Sequence, residues 1–244
     1  MESRDPPVYA RVWLNDCLIK EHYRMLGRLA FECRRPMQMQ KRSLDGEHIF
    51  TIDNFLTDEE CASFVARSEG DGYEPASITT AAGFVVNTDI RNNRRLIVDD
   101  AATAATLWLR AQPFLPPTIH EWSAIGLNER FRFYRYDPGQ RFAPHFDGCF
   151  ERSDRERSHL TFMVYLNADF TGGETRFYDA DQQLHIIVRP ERGMALAFTH
   201  LQLHEGAPVV TGRKYVLRTD VMYAVAVSPG HGDGNPVLAD GRRV

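Results

Sequence analysis

The feature that most restricts the fold of this chain is a change of period. From Glu129 onward the sequence falls into short alternating runs: ERFRFYRYD, HLTFMVYLN, LHIIV, MALAFTH and KYVLRTDVMYAVAV. Successive side chains on a strand point to opposite faces, so a period of two divides each run between two environments. In the first run Phe131, Phe133 and Arg135 fall on one face, and Arg132, Tyr134 and Tyr136 on the other. Glycine and proline separate the runs. Gly172 and Gly173 read as a tight turn, because no phosphate-loop spacing follows them. Many short strands with this punctuation predict a mainly β domain built from two sheets, a sandwich or barrel, with flanking helices.

The first half reads differently. Between Trp13 and Arg34, Leu14, Leu18, Met25, Leu29 and Cys33 have helical spacing, and the polar MQMQKRSLDGEH that follows reads as a connection. HIFTIDNF predicts a strand. Thr57 to Glu60, TDEE, is a capping box that opens a helix through Cys61, Phe64 and Val65. Asp99 and Asp100 can cap a second helix through AATAATLWLRAQ, which Pro113, Pro116 and Pro117 stop. The expected organisation is an N-terminal helical extension over 1–45, a β domain with supporting helices over 46–227, and a tail over 228–244 with little to bury.

Composition narrows the function. A net charge of -4 over 244 residues argues against general affinity for a nucleic-acid backbone, and no nucleic-acid partner is expected. No charged start leads into an apolar signal stretch, and no run is long enough to span a bilayer, so the expectation is a cytoplasmic protein with no membrane partner. Cys17, Cys33, Cys61 and Cys149 show no paired spacing, which agrees with a reducing compartment.

The chemistry is carried by APHFDG, Ala143 to Gly148. His145 and Asp147 stand two apart, so on a strand both face one side. Two imidazoles and one carboxylate form the facial triad that holds Fe(II) in non-haem oxygenases and leaves metal positions open. The second imidazole must come from elsewhere. His120, His159, His185, His200 and His204 are available, and His204 in LHEGAPVVTGRK is preferred because a strand carrying Lys214 follows it. A 2-oxo acid chelated to such a metal would place its distal carboxylate in a dry pocket, where it needs a charge partner. Lys214 can supply that charge, and Tyr165 or Tyr136 can add a phenolic hydrogen bond.

Taken together, RFYRYDPGQRFAPHFDG, MVYLNADFTGGETRFY and LHEGAPVVTGRKYVLRTD resemble the 2-oxoglutarate- and Fe(II)-dependent dioxygenases, in their prolyl 4-hydroxylase-like branch. The resemblance runs from about Arg130 to Tyr223 and is weaker from Ile49 to Asp99. It implies a double-stranded β-helix, a distorted jelly roll with helices packed outside. It implies His145, Asp147 and His204 as iron ligands, Lys214 paired with the distal carboxylate of 2-oxoglutarate, Tyr165 hydrogen-bonded to that carboxylate, and Tyr136 lining the pocket. The implied cofactors are Fe(II), 2-oxoglutarate and O2, with ascorbate keeping the iron ferrous. The implied reaction is hydroxylation of an unactivated C–H bond with release of succinate and CO2. The implied substrate is a protein or peptide side chain, prolyl 4-hydroxylation being the leading case. Two alternatives stand beside this: a hydroxylase of a free amino acid or small polar metabolite, and a non-oxygenase metal-binding jelly roll.

Two positions depart from the branch. A small or hydroxyl residue usually stands four after the lysine, where this chain has Arg218, and an aromatic residue usually stands where it has Asp220. Both make the substrate side more polar, and the two either meet substrate or pair with each other. In NTDIRNNRRL, Arg91, Arg94 and Arg95 can form part of a lip over the site, with Arg91 the preferred substrate contact. CFERSDRERSH reads as a charged, solvated lid or connection, Cys149 as partly buried and unreactive, and His200 as a supporting residue.

Overall fold

The computed structural model describes residues 38–80 and 83–225. The helices expected between Trp13 and Arg34 and the tail over 228–244 lie outside the described residues. The principal strands are β1 (Gln40–Asp45), β2 (Ile49–Asp53), β3 (Arg94–Asp99), β4 (Trp122–Leu127), β5 (Arg130–Tyr136), β6 (Phe142–His145), β7 (Glu156–Tyr165), β8 (Thr175–Tyr178), β9 (Leu184–Val188), β10 (Ala195–Thr199), β11 (Leu203–Gly206) and β12 (Lys214–Val225). Two helices, α1 (Asp58–Asp71) and α2 (Ala101–Ala111), accompany them.

The large sheet runs β1-β2-β10-β7-β12-β5-β3, and all of these pairings are antiparallel. The small sheet runs β6-β11-β8-β9. β12 is central. It pairs with β7 along one edge, while its other edge pairs with β5 through Arg218 and with β4 from Val221. The two sheets fit the sandwich or barrel that the strand pattern predicts, and their order is the jelly-roll arrangement that the resemblance implies.

Period two sorts the side chains of the large sheet into two cores. Phe131 and Phe133 of β5, Leu160, Phe162 and Val164 of β7, and Leu217 of β12 face the helical side, where Cys61, Phe64 and Leu107 cover them. The alternate residues Tyr134, Tyr136, Tyr165 and Val216 face the small sheet and pack with Phe177, Phe198 and Val209. The candidate site residues described below line this second layer. With both faces covered, the central strands read as nearly continuous apolar runs.

The helices begin where their caps predict. The Thr57 side chain accepts from the Glu60 amide at 3.2 Å, and the Glu60 carboxylate accepts from the Thr57 amide at 2.9 Å. Asp100 caps α2 by accepting from the Thr103 amide. Arg110 of α2 ties the helices together with a bidentate contact to Glu60, at 2.8 and 2.7 Å, and a bond to the Phe55 carbonyl. Among the described residues, no helix is long and apolar enough to cross a membrane.

Two segments differ from the sequence expectation. Gln40–Asp45, read as a connection at the end of a helical extension, is an edge strand paired with β2. Its residues are largely exposed, so it carries none of the alternating apolar content that marks a strand in sequence. Within the charged stretch after the His-Asp pair, Glu151–Ser153 pairs with the start of β7 as a β-hairpin. Backbone pairing holds it, and its side chains stay in water.

A turn at Gly212 delivers Lys214 to the inner face. Gly212 has φ +76°, and a Cβ there would lie 2.5 Å from the Asp169 carbonyl oxygen. Gly212→Ala should therefore cost about 2–4 kcal/mol, from backbone strain plus the clash. Urea unfolding checks this, and a midpoint equal to that of the parent would refute it.

Candidate metal centre

β6 and β11 lie side by side with His145 directly opposite His204. The two rings are 4.3 Å apart, centroid to centroid. Asp147, two residues beyond His145, turns its carboxylate toward both. Its Oδ1 lies 3.7 Å from His145 Nε2, and its Oδ2 lies 3.6 Å from His204 Nε2. One ligand atom from each residue falls within 4.8 Å of the others.

The backbone fixes which nitrogens are free. His145 Nδ1 lies 2.8 Å from the Ala143 carbonyl, and His204 Nδ1 lies 2.9 Å from the Gln202 carbonyl. A carbonyl only accepts, so each Nδ1 carries the proton and each Nε2 keeps its lone pair. Both bare nitrogens face Asp147. Burial, with the neighbouring His204, pushes the His145 pKa down to about 3, and burial lowers that of His204 as well. Both imidazoles are therefore neutral at pH 7. Burial opposes ionisation of Asp147, yet Arg218, the two histidines and Thr161 outweigh it and hold the carboxyl below its ordinary range. Two neutral imidazoles and one carboxylate, oriented by hydrogen bonds on their far sides, fit a divalent first-row metal such as Fe(II).

A buried relay holds Asp147 in place. The Thr161 hydroxyl donates to Asp147 Oδ2 at 2.6 Å. That donation leaves its oxygen to accept from His200 Nδ1 at 3.2 Å, while the Ser158 hydroxyl donates to His200 Nε2 at 2.9 Å. The Phe150 amide closes the relay by donating to Ser158. On its other oxygen, Asp147 meets Arg218 Nη2 at 3.1 Å. Thr161 carried no motif in the sequence. Its position on the inner face of β7, two residues before Met163 and four before Tyr165, was its only signal.

A cavity leads from these three residues to Lys214, past Tyr136, Met163, Thr175 and Val216. Lys214 is 2% exposed. Its ammonium donates to the Gly173 carbonyl at 2.6 Å and lies 5.3 and 5.4 Å from the Tyr136 and Tyr165 rings. Among the described residues no carboxylate lies within ion-pair distance of it. Burial pushes its pKa down to about 7 against the pull of Glu174. Tyr136 lines the cavity. Tyr165 sits behind the wall, its hydroxyl 2.7 Å from that of Thr175, which does line it.

The residues expected at the substrate side separate into two groups. Arg91 and Arg218 line a wider outer cavity that shares His145 and Asp147 with the inner one. Asp220 is 1% exposed and lies behind them, bonded to Arg132 at 3.0 Å and to Arg218 at 3.3 Å. The Arg91 guanidinium lies over the Tyr134 and Phe142 rings, at 4.4 and 4.3 Å, and Phe142 in turn stacks on His145 at 3.5 Å and 16°. Cys149 is exposed, where the sequence suggested partial burial, because the hairpin after Asp147 carries it to the surface.

A family model, the 2OG-Fe(II) oxygenase superfamily, matches residues 131–219. A prolyl 4-hydroxylase homologue of Acanthamoeba polyphaga mimivirus is 32% identical over 186 residues, covering 68% of this chain and 71% of the relative. Prolyl 4-hydroxylase 2 of Arabidopsis thaliana is 27% identical over 207 residues, 68% of this chain and 64% of the relative. A viral collagen prolyl hydroxylase from Paramecium Bursaria Chlorella virus-1, solved as a 2OG complex, superposes with a TM-score of 0.52 at 25% identity, covering 74% of this chain and 98% of the viral one. The chain belongs to the 2OG-Fe(II) oxygenase superfamily, in its prolyl 4-hydroxylase-like branch. It spans 60, 64 and 66% of the length of three Arabidopsis relatives.

The buried ammonium gives a signed prediction. Folding lowers the Lys214 pKa, so the unfolded chain binds the extra proton between about pH 7 and 10.5 and stability rises with pH there. Below pH 7 the penalty is fully present. Lys214→Met should stabilise the metal-free protein by about 2–4 kcal/mol at pH 7. That gain should shrink toward pH 9.5. Denaturant titrations of both proteins across the range check it, and a pH-independent difference would contradict it.

Proposed function

We propose that this chain is a 2-oxoglutarate- and Fe(II)-dependent dioxygenase that hydroxylates an unactivated C–H bond in a protein or peptide side chain, a prolyl ring being the first candidate. The observation that carries this reading is that a single cavity has a facial set of metal ligands at one end and a buried ammonium with no carboxylate partner at the other. An oxygen-ligating diacid satisfies both ends at once.

In this reading His145, Asp147 and His204 hold iron through Nε2, one carboxylate oxygen and Nε2. Lys214 takes the distal carboxylate of 2-oxoglutarate. Tyr136 walls the cosubstrate, and Tyr165 positions Thr175 beside it. At about 40 Å³ the inner cavity is narrow, so the Lys214 contact with Gly173 is the one that loading would exchange for a carboxylate. When bound, ferrous iron and 2-oxoglutarate supply the oxidising power, with O2 converting the diacid to succinate and CO2 and leaving one oxygen atom in the substrate C–H bond. Ascorbate would serve to keep the iron ferrous. Arg218 and Thr161 hold Asp147 in its orientation and spread its charge. The free thiols of Cys61 and Cys149 suit a reducing compartment, and cytoplasmic residence belongs to this reading.

The test is anaerobic addition of Fe(II) and 2-oxoglutarate, followed by air. The expected results are a weak visible charge-transfer band, then succinate formation. His145→Ala and Asp147→Ala should each lose the band and the turnover; full activity in both would remove the metal assignment. Lys214→Ala should weaken 2-oxoglutarate binding by about 30-fold or more, the cost of leaving a buried carboxylate without its partner. An unchanged cosubstrate affinity in a calorimetric titration would reject that role.

A further inference from the structure

The outer cavity has an excess of positive charge that the reading above does not use. It measures about 780 Å³ and opens onto His145 and Asp147. Arg91, Arg95, Arg130, Arg132 and Arg218 line it, and Asp147 is the one carboxylate on its wall among the described residues. Three of the arginines are matched. Arg130 pairs with Asp99, Arg132 with Asp220, and Arg218 with Asp147 and Asp220.

Arg91 and Arg95 are not. Neither has a carboxylate within ion-pair distance among the described residues. Arg95 donates to the Ser77 hydroxyl at 2.9 Å. Arg91 is 4% exposed, and its Nε donates to Asn93 at 2.7 Å. Its Nη2 is buried with no acceptor. A guanidinium packed over two rings and fixed at Nε keeps its remaining N–H edge in a set orientation, the geometry that selects a planar carboxylate. Leaving such a donor buried and unpaired is costly unless a ligand completes it. The surrounding field agrees. Burial would raise the Tyr134 pKa, yet Arg218, Arg91 and Arg132 lower it.

From this geometry we infer that Arg91, with Arg95 beside it, docks a carboxylate on the substrate, so that the enzyme selects acidic peptides with Asp or Glu close to the hydroxylated residue. The inference rests on the hydroxylase reading for the identity of the site. A peptide is favoured over a free amino acid by size, since the cavity is near the upper end of the range for small-molecule sites. The exposed Ile90 and Phe146 on its wall also offer apolar contact to flanking residues.

The test compares two pools of labelled proline-containing peptides, identical except for Asp or Glu in one and Asn or Gln in the other. Fluorescence anisotropy reads their affinity for the Fe(II)- and 2-oxoglutarate-loaded protein under anaerobic conditions. The acidic pool should bind at least about tenfold tighter, the size of one charge-assisted contact. Arg91→Gln should reduce that ratio to about twofold or less. Arg95→Gln, at a half-buried position, gives the same readout if the first variant folds poorly, and Arg95→Lys should retain most of the ratio. Equal binding of the two pools, or a ratio unchanged in both glutamine variants, overturns the inference. So does binding that amidation of the peptide C-terminus weakens equally in both pools, which would assign the site to a free α-carboxylate, or tighter binding of an oligothymidylate, which would assign it to phosphate. Failure of the hydroxylase reading shows separately, as no succinate formed from 2-oxoglutarate with any peptide, whatever the anisotropy ratio.

Discussion

The register between β6 and β11 is the constraint on which the site depends. Strand pairing sets His145 opposite His204, and the bonds from each Nδ1 to a carbonyl two residues earlier in its own chain turn both rings the same way. A slip of one residue in either strand would send one imidazole to the opposite face. The geometry of the candidate metal ligands is thus a by-product of ordinary backbone pairing, and the large sheet need only supply what surrounds it. β12 does so through alternation, presenting Lys214, Val216 and Arg218 to the same cavity in order.

That inner face is a poor hydrophobic core. It buries the Lys214 ammonium, the Arg91 guanidinium and the Asp220 carboxylate, and holds Asp147 and Arg218 half-buried, where the helical side buries phenylalanine and leucine. Such groups add little to stability even when paired, because desolvation offsets the attraction. The helical side holds the larger of the two apolar clusters. The small-sheet side carries the buried charge, and the separation of the two follows from the strand period.

Much of this was legible from residues. Thr57 and Glu60 announced α1, and the alternation in β5 separated Phe131 and Phe133 from Tyr134 and Tyr136 before any coordinates. The spacing of His145 and Asp147 needs only one strand and a short extension, so it survives in sequence; so does Lys214, which follows His204 in LHEGAPVVTGRK. What was not legible depends on neighbours across strands. Arg218 was read as either a substrate contact or a partner of Asp220, and nothing in KYVLRTD shows that it also reaches Asp147. Arg132, Thr161 and Asp220 become one cluster only when β5, β7 and β12 lie side by side. β1 was missed because an exposed edge strand is held by backbone bonds that leave no apolar signature.

The column formed by Tyr134, Arg91, Phe142 and His145 has a mechanical consequence. The Arg91 guanidinium lies over the Tyr134 and Phe142 rings, and Phe142 stacks on His145, so the contacts run without a break from the wide mouth to the candidate ligand set. Phe142 therefore belongs to two neighbourhoods at once. Shortening or polarising that ring would loosen the clamp on Arg91 and unseat the imidazole below it in the same stroke. One side chain thus couples the wall of the outer cavity to the orientation of a candidate metal ligand.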